Sequence, residues 1–285
     1  MAPPIYCQSM FFFHTMTSAL HRFVHEHKRL LVLTGAGVST ASGIPDYRDE
    51  SGAWKSSQPI SYQDFVRTEH ARQRYWARSA AGWSRFASAT PGKAHIAIAQ
   101  LENSGKVLLL ITQNVDRLHQ RAGSQRVTDL HGSLHRVVCL DCHRIVSRAE
   151  IQVFLLRNNP YLENITSVPA PDGDAKLEQI DYANIVTPHC EKCAGILKPD
   201  VVFFGENVPA DRVKSCFDAI DKADAMLVVG SSLMVYSGYR FVCRAHEKGI
   251  PIVSINRGVT RADKLLSMKI EQDCGEALTA LTASL

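Results

Sequence analysis

The chain has 285 residues, of which 45% are hydrophobic, and a formal net charge of +4 at pH 7. This length exceeds that of most single domains, so we expect one large domain with a smaller appendage. Lysine and arginine are spread along the chain, without a block typical of a nucleic-acid-binding tail. No apolar run reaches the ~18 residues of a membrane-spanning helix. The composition therefore predicts a globular protein whose partners are neither nucleic acid nor a membrane.

The N-terminal segment, residues 1–16, contains no lysine or arginine. It therefore differs from a secretory signal and from an arginine-rich transit peptide, and we interpret it as a disordered extension. After the cap residues Thr17 and Ser18, apolar side chains recur at helical spacing. This pattern predicts a first helix that packs on a sheet.

An apolar run at residues 30–33 leads into the turn Gly35-Ala36-Gly37. A strand followed by such a turn presents backbone N–H groups to a phosphate, because glycine has no Cβ to block the approach. The third glycine of the usual dinucleotide fingerprint would fall at Thr40, and no strand ending in an acidic residue follows about 20 positions later. The turn thus predicts a phosphate site without the pattern of a standard dehydrogenase. A plain strand-to-helix turn is the alternative.

No strand pattern occurs from residue 49 to 91, and residues 65–83 are rich in helix formers. We therefore expect a helical insertion beside the glycine turn. A further helix begins at Pro91 and ends at Gly105, and residues 107–111 form a buried strand. These elements complete one strand–helix–strand crossover.

Polar side chains follow two of the predicted strands. Gln113, Asn114 and Asp116 come after the buried strand just described, and His131 follows a short strand at residues 127–130. Ligands of open α/β sheets bind at the carboxyl ends of strands, so these residues are site candidates. The near-neutral pKa of histidine suits a general base. An Asx-type turn is the alternative for Asn114 and Asp116.

Two Cys-x-x-Cys pairs, Cys139 with Cys142 and Cys190 with Cys193, give the sharpest pattern from spacing alone. Each pair can aim two thiolates at one ion, and four thiolates complete a tetrahedral structural zinc site. A redox pair or disulfides are the alternatives. The long segment between the pairs has loop-like composition, notably at residues 169–174. We expect a small inserted zinc module.

The last third of the chain repeats the strand-to-turn arrangement. Residues 197–206 are strand-rich, and an exposed edge there could pair with an extended peptide, although an ordinary strand entering a turn fits equally well. Two later strands end in the turns Gly230-Ser231-Ser232 and Asn256-Arg257-Gly258. Strands that alternate with helices at this spacing predict an α/β fold with a doubly wound parallel sheet.

Taken together and in this order, these motifs make the chain resemble the sirtuins, which are NAD-dependent protein deacylases. The resemblance covers nearly all of residues 17–280. It rests on GAGVSTASGIPDYR at 35–48, TQNVD at 112–116, His-Gly at 131, the four cysteines, KPDVVFFGE at 198–206, GSSL at 230–233 and IN at 255–256. The stretch YWAR at 75–78 further resembles the Y-x-x-R signature of class II sirtuins, most of all the mitochondrial sirtuin-four branch and its bacterial homologues.

The resemblance implies a Rossmann-like NAD-binding domain at residues 17–133 and 199–285, with a helical insertion at about 49–91. The zinc module at residues 134–198 is inserted into it. NAD is the implied cofactor, together with one structural Zn²⁺ held by the four cysteines. Carried over from the family, the NAD site consists of Gly35, Ala36, Gly37, Ser39, Ile44, Pro45, Asp46, Tyr47, Arg48, Gln113, Asn114, Val115, Asp116, Gly230, Ser231, Ser232, Asn256, Arg257, Gly258 and Cys274.

In the sirtuin reaction the acyl-lysine carbonyl oxygen attacks the ribose carbon that carried nicotinamide, and deacylated lysine and O-acyl-ADP-ribose result. The resemblance makes His131 the base on the ribose hydroxyls, with Asn114 and Asp116 as its catalytic companions. Acyl-lysine protein substrates are expected to bind as an extended strand. The implied substrate-binding residues are Tyr75, Arg78, Val201, Phe203, Gly205 and Glu206.

Tyr75 and Arg78 lie three residues apart, which places them on one face of a helix. There the phenol and the guanidinium can both donate hydrogen bonds to one carboxylate. This favours acidic acyl groups such as malonyl, succinyl or glutaryl over acetyl. The alternative is that Arg78 is a solvated residue of a basic helix. Two positions depart from the family: Tyr47 stands where the sirtuin P-D-F-R motif often has Phe, and the residues around Trp54 do not match the succinyl-specific members.

Two other functions remain open. One is a mono-ADP-ribosyltransferase or NAD sensor on the same fold, and the other is a zinc-ribbon module that binds nucleic acid or protein. The joint presence of His131, Asn114 and Asp116 argues against the second, since a binding module needs none of them. A bacterial protein of this kind is expected in the cytoplasm, and a eukaryotic one in the mitochondrial matrix.

Overall fold

The computed structural model describes residues 18–55, 59–177 and 180–283. The extension predicted at residues 1–16 lies outside this part of the chain. Within it, no helix combines the length and the apolar character that crossing a bilayer requires.

Helices and strands alternate along much of the chain. The first half contains α1 (18–26), β1 (Leu30–Thr34), α2 (Tyr62–Arg67), α3 (Glu69–Ser88), α4 (Lys93–Asn103), β2 (Val107–Thr112), α5 (Leu118–Arg121), β3 (Val127–Asp129) and β4 (Gly132–Cys139). The second half contains β5 (Ile145–Ser147), α6 (Arg148–Asn158), β6 (Ser167–Pro169), β7 (Ala175–Leu177), β8 (Leu197–Val201), α7 (Ala210–Ile220), β9 (Ala225–Val229), α8 (Tyr236–Glu247), β10 (Ile252–Ile255), β11 (Met268–Ile270) and α9 (Cys274–Thr282).

Six strands form one parallel sheet in the order β11-β10-β9-β1-β2-β3. The central strands β1 and β9 are buried at every residue. A strand covered on both faces needs apolar side chains at successive positions, which explains the runs LLVLT and AMLVV. The predicted doubly wound parallel sheet is confirmed.

The two faces of this sheet carry separate cores. Leu30 and Val32 pack among residues of α1, α4 and α9, whereas Leu31 and Leu33 pack among residues of α7 and α8. The division follows from the strand, in which successive side chains point to opposite faces. Each fully buried leucine contributes about 1.5–3 kcal/mol of hydrophobic stabilisation before the entropy of ordering is counted. Burial on both faces thus holds a helical layer to each side of the sheet.

A second, antiparallel sheet has the order β5-β4-β8. The helices α2 and α3 occupy the predicted helical insertion, and with α6 they form a third core around Phe65, Trp76 and Leu155. The domain boundary predicted at residue 199 falls inside β8, and the proposed division into two domains stays a prediction.

The segment between the cysteine pairs is more regular than its composition predicts. Residues 169–174 have the composition of a loop, but Pro169 ends β6, which pairs antiparallel with β7. The Pro171–Gly173 turn between these strands is a 3₁₀ helix. It packs on α3, since a Cβ on Gly82 would lie 2.2 Å from the Gly173 carbonyl oxygen. The loop prediction thus holds for the turn at residues 170–174, and it missed only the flanking strands, which are too short to show an alternating pattern.

The four predicted zinc ligands come together beside the antiparallel sheet. All four Sγ atoms lie within 4.8 Å of one another, with 3.5 Å between Cys139 and Cys193 and 3.6 Å between Cys142 and Cys190. These distances exclude disulfides, whose sulfurs are about 2 Å apart. Zn–S bonds of about 2.3 Å in a tetrahedron place the sulfurs about 3.8 Å apart, so the cluster fits one zinc ion. It is positioned to hold a structural metal that joins the two knuckles.

We expect Cys193→Ser to release the metal and to lower the melting temperature, because a hydroxyl is a poor zinc ligand and the knuckle at residues 190–193 would lose its tie to β4. Metal analysis of the purified protein should find about one zinc ion per chain in the native form and well under half of that in the variant. Cys243→Ser is the matched control, since Cys243 lies on α8, outside the cluster. Full zinc occupancy in Cys193→Ser would contradict the assignment.

Candidate functional site

A cleft of about 780 Å³ opens at the carboxyl ends of the parallel strands, where the strand order reverses between β1 and β9. Open α/β sheets bind their ligands at this position. Most predicted site residues line the cleft: Gly35, Ala36, Gly37, Pro45, Asp46, Tyr47, Arg48, Tyr75, Arg78, Gln113, Asn114, Val115, His131, Val201, Phe203, Gly205, Glu206, Gly230, Ser231, Ser232, Asn256, Arg257 and Cys274. Ser39, Ile44, Asp116 and Gly258 are not among the residues that line it.

Two glycine turns, Gly35–Gly37 after β1 and Gly230 after β9, meet in the cleft. The Gly37 N–H donates to the Gly230 carbonyl oxygen over 2.8 Å. A Cβ on Gly35 would lie 2.9 Å from that oxygen, and one on Gly37 would lie 2.9 Å from the Gly230 Cα. The turns therefore touch backbone to backbone and leave a surface without side chains. Such a cradle suits a pyrophosphate.

A buried polar cluster supports the next part of the cleft. Ser39 Oγ donates to Asp116 Oδ2 over 2.7 Å and accepts from Asn114 Nδ2 over 2.9 Å. Asp116 Oδ1 accepts from the Leu118 N–H over 2.8 Å, at the start of α5. Asn114 Nδ2 also donates to the Gly35 carbonyl oxygen over 3.1 Å. These bonds satisfy the buried carboxylate and fix Asn114, at the end of β2, against the glycine turn.

His131 stands between the ends of β2 and α8. Its Nδ1 lies 2.9 Å from the Gln113 carbonyl oxygen, and its Nε2 lies 2.8 Å from Ser237 Oγ. Burial, together with the positive charges of Arg212 and Arg240, lowers the pKa of His131 to about 4 against the opposing effect of the Gln113 carbonyl. The imidazole is therefore neutral at pH 7 and able to accept a proton.

The adenosine end predicted for the cleft lies at β10 and α9. The Asn256 side chain donates to the Arg257 carbonyl oxygen over 2.7 Å, which closes the turn after β10. Asp273 caps α9 by accepting from the N–H groups of Gly275 and Glu276. Burial raises the pKa of the Cys274 thiol to about 12, so this cysteine is a packing group without nucleophilic character.

At the opposite end of the cleft, the residues predicted to bind the acyl group lie beside the turn between β6 and β7. Arg78 Nη2 lies 2.5 Å from Asp174 Oδ2, and Arg78 Nε donates to Asp174 Oδ1 over 3.0 Å. The Arg78 side chain is only 12% exposed, so the alternative that it lies on a solvated helix face is wrong. Tyr47 Oη donates to Asp172, whose pKa burial raises to about 6. A carboxylate of the chain itself thus occupies one edge of the Arg78 guanidinium.

The predicted substrate strand begins in β8, an edge strand of the antiparallel sheet, and continues along the cleft. Glu206 turns inward, where its carboxylate accepts from the Phe203 N–H over 2.8 Å and pairs with Lys198 at 3.0 Å. Gln63 donates to the Gly205 carbonyl oxygen over 2.9 Å. Glu206 and Gly205 therefore shape this loop, and Val201 and Phe203 lie on the cleft wall.

The polar cleft residues that sequence reasoning missed include Asp172, Asp174, Ser237 and Arg240. The run Pro-Asp-Gly-Asp at 171–174 signals a turn, but nothing local shows that the turn reaches α3. Ser237 and Arg240 lie at helical spacing just after the GSSL motif, which is the one signal that could have directed attention to them.

Known proteins share the motifs that build this cleft. The family model described as the Sir2 family matches residues 35–237. An NAD-dependent protein deacetylase of Xanthomonas campestris pv. campestris is 56% identical over 92% of this chain and 90% of its own length. The bovine mitochondrial NAD-dependent protein lipoamidase sirtuin-4 is 50% identical over 91% of this chain and 83% of its own length.

Among solved structures, a Sir2 protein with a p53 peptide and NAD⁺ matches with a TM-score of 0.74 and 28% identity, over 93% of this chain and 97% of that one. A structure from work on the mechanism and regulation of Sir2 enzymes matches with the same TM-score and 34% identity, over 94% and 96% of the two chains. The family match spans well over half of the 285 residues. The chain therefore belongs to the Sir2 family.

Proposed function

We propose that this chain is an NAD-dependent protein-lysine deacylase that releases nicotinamide and O-acyl-ADP-ribose. The observation that carries the proposal is the position of His131, which lines the cleft beside the two glycine turns and is oriented by the Gln113 carbonyl oxygen at 2.9 Å. Relatives that are more than 50% identical to this chain are named NAD-dependent protein deacetylases. Their names and this arrangement support the same activity.

The glycine turns and the residues around them would hold NAD. Gly35, Gly37 and Gly230 let the two turns approach so closely that a Cβ on any of them would collide with the facing turn, and Ser231 is held there by a 2.8 Å bond from Gln113 Nε2. Asn256 would reach the adenosine half. When bound, NAD supplies a ribose carbon from which nicotinamide can leave and to which the acyl oxygen can be transferred.

The buried cluster would orient the nicotinamide end. Asn114 lies on the cleft wall, and Asp116 behind it is tied to Ser39 and to the start of α5. Because these side chains already have their partners, they need no rearrangement when the cofactor enters, which is the advantage of a preorganised site. The segment at residues 44–48 closes the same end and would help to exclude water.

His131 would act as the general base. Nδ1 carries the proton, because the Gln113 carbonyl oxygen can only accept, so the lone pair is on Nε2, where Ser237 Oγ donates to it until the ribose hydroxyl takes its place. A proton taken up at Nε2 leaves an imidazolium that still donates to Gln113. The same group can then return the proton to the leaving lysine amine.

Protein substrates would bind as an extended strand between residues 201–206 and the loop after Leu233. β8 is an edge strand, and both segments line the cleft. The Phe203 N–H and the Gly205 carbonyl oxygen already bond Glu206 and Gln63, so a peptide would add to the remaining backbone groups of this segment by main-chain hydrogen bonds. Such recognition suits an enzyme that acts on lysines in many contexts.

We expect His131→Ala to lower the formation of O-acyl-ADP-ribose by about 10²- to 10⁴-fold, because the reaction loses its base. Mass spectrometry of NAD turnover on acyl-lysine peptides measures this directly. The exposed His246 on α8 gives the control His246→Ala, which should retain native rates and melting temperature. If native protein attaches ADP-ribose to proteins and forms no O-acyl-ADP-ribose, the chain is instead a mono-ADP-ribosyltransferase.

The ion pair of Arg78 with Asp174 leads to a prediction about acyl preference. Asp174→Asn removes the carboxylate that neutralises Arg78, so activity on succinyl- or glutaryl-lysine peptides should rise about tenfold relative to acetyl-lysine peptides. Arg78→Met should lower the same ratio. The ratios of kcat/KM on a matched peptide panel test both changes. An unchanged ratio of kcat/KM in both variants would show that these two residues do not determine the acyl preference.

A further inference from the structure

We infer that Ser237 is a positioning residue for His131. From the first turn of α8 its hydroxyl holds Nε2 of the imidazole, so that the ring keeps one tautomer and one orientation in the cleft. The inference rests on the proposed function, since it concerns the base of that reaction.

The hydrogen bonds on the two ring nitrogens determine the tautomer. Nδ1 lies 2.9 Å from the Gln113 carbonyl oxygen, which has no proton to give, so Nδ1 must be the protonated nitrogen of a neutral ring. Nε2 is then an acceptor. Its partner at 2.8 Å is Ser237 Oγ, which must donate. The imidazole is thus held at both edges, by the end of β2 on one side and by α8 on the other.

The backbone of α8 supports the same arrangement. Gly238, next to Ser237, lies so close to the Gln113 side chain that a Cβ there would be 2.6 Å from Gln113 Oε1. Gln113 is also the residue whose carbonyl accepts from Nδ1. The first turn of α8 therefore packs against the same residue whose backbone carbonyl holds Nδ1.

The charges around the ring favour the same state. Arg240 on α8 and Arg212 on α7 both act against a positive charge on His131, and the N-terminal end of a helix such as α8 carries partial positive charge. Arg212 is itself held by a 3.0 Å bond from Nη1 to the Leu130 carbonyl oxygen. Gln113, the contact from β2, is uncharged. Ser237 adds a hydrogen bond to the effect of these charges. It donates to Nε2 and so stabilises the neutral ring at the nitrogen that must later accept the proton.

The test compares Ser237→Ala with Ser237→Thr, which keeps the hydroxyl. Ser215→Ala is the matched control, because the Ser215 hydroxyl lies on α7 and bonds its own helix at the Asp211 carbonyl oxygen. In the ligand-free protein, ¹⁵N NMR of the histidine rings reports the tautomer and the pKa of His131. We expect the Ala variant to lose the single tautomer and to raise the His131 pKa by about one unit.

Kinetics supply the second measurement. For Ser237→Ala we expect kcat for O-acyl-ADP-ribose formation to fall about 10- to 100-fold, as for a misplaced catalytic group, while the KM for NAD and the rate of nicotinamide exchange stay within about threefold. Ser237→Thr should restore most of kcat and the native NMR signals. The Ser215→Ala protein should match the native one in both measurements.

Each of three results would contradict either the positioning role of Ser237 or the proposed reaction. An unchanged tautomer and pKa of His131 in Ser237→Ala would overturn the positioning role. Equal losses of nicotinamide exchange and acyl transfer, with a lower melting temperature, would overturn it as well, since they indicate general support of α8. If native protein forms no O-acyl-ADP-ribose while the NMR changes occur as expected, the proposed reaction fails and the positioning of His131 by Ser237 stands.

Discussion

The site depends on the contact of two backbone turns at the centre of the parallel sheet. β1 and β9 are neighbours, and each ends in glycine at the edge where the strand order reverses. The Gly37 N–H bonds the Gly230 carbonyl oxygen over 2.8 Å, with no space for a Cβ between them. The sheet places the two turns, and only glycine allows them to meet. All other site residues are arranged around the cradle that this contact leaves.

The second requirement is that buried polar groups have partners, because an unpaired buried carboxylate is very costly. Asp116 meets it through Ser39 and through the first turn of α5. Ser39 also lies 3.4 Å from Nε2 of His95, whose Nδ1 accepts from the Gly92 N–H, so the cluster extends into the start of α4. The polar residues behind the cleft therefore share bonds with three helix or strand ends. The loop residues Ser39, Asn114 and Asp116 are thereby tied to one another and to the start of α5.

Sequence reasoning succeeded where the chemistry is local. The glycine turns, the polar strand ends and the Cys-x-x-Cys pairs each carry their signal within a few residues, and the structure places them at the switch point of the sheet or in one cluster. It could not find contacts that depend on long-range packing. Asp174 meets Arg78 from 96 residues away, and Ser237 meets His131 from 106. The boundary predicted at residue 199 divides β8 because nothing in that run shows that its partner is β4.

The pairing of β8 with β4 also joins two parts of the protein that have different chemistry. Cys139 ends β4 and lies in register with Leu197, the first residue of β8, while the last residue of β8 already lines the cleft. The five residues of β8 thus run from the partner of Cys139 to the wall of the cleft. A distortion of the metal cluster would therefore reach the cleft wall at Val201 along a single strand.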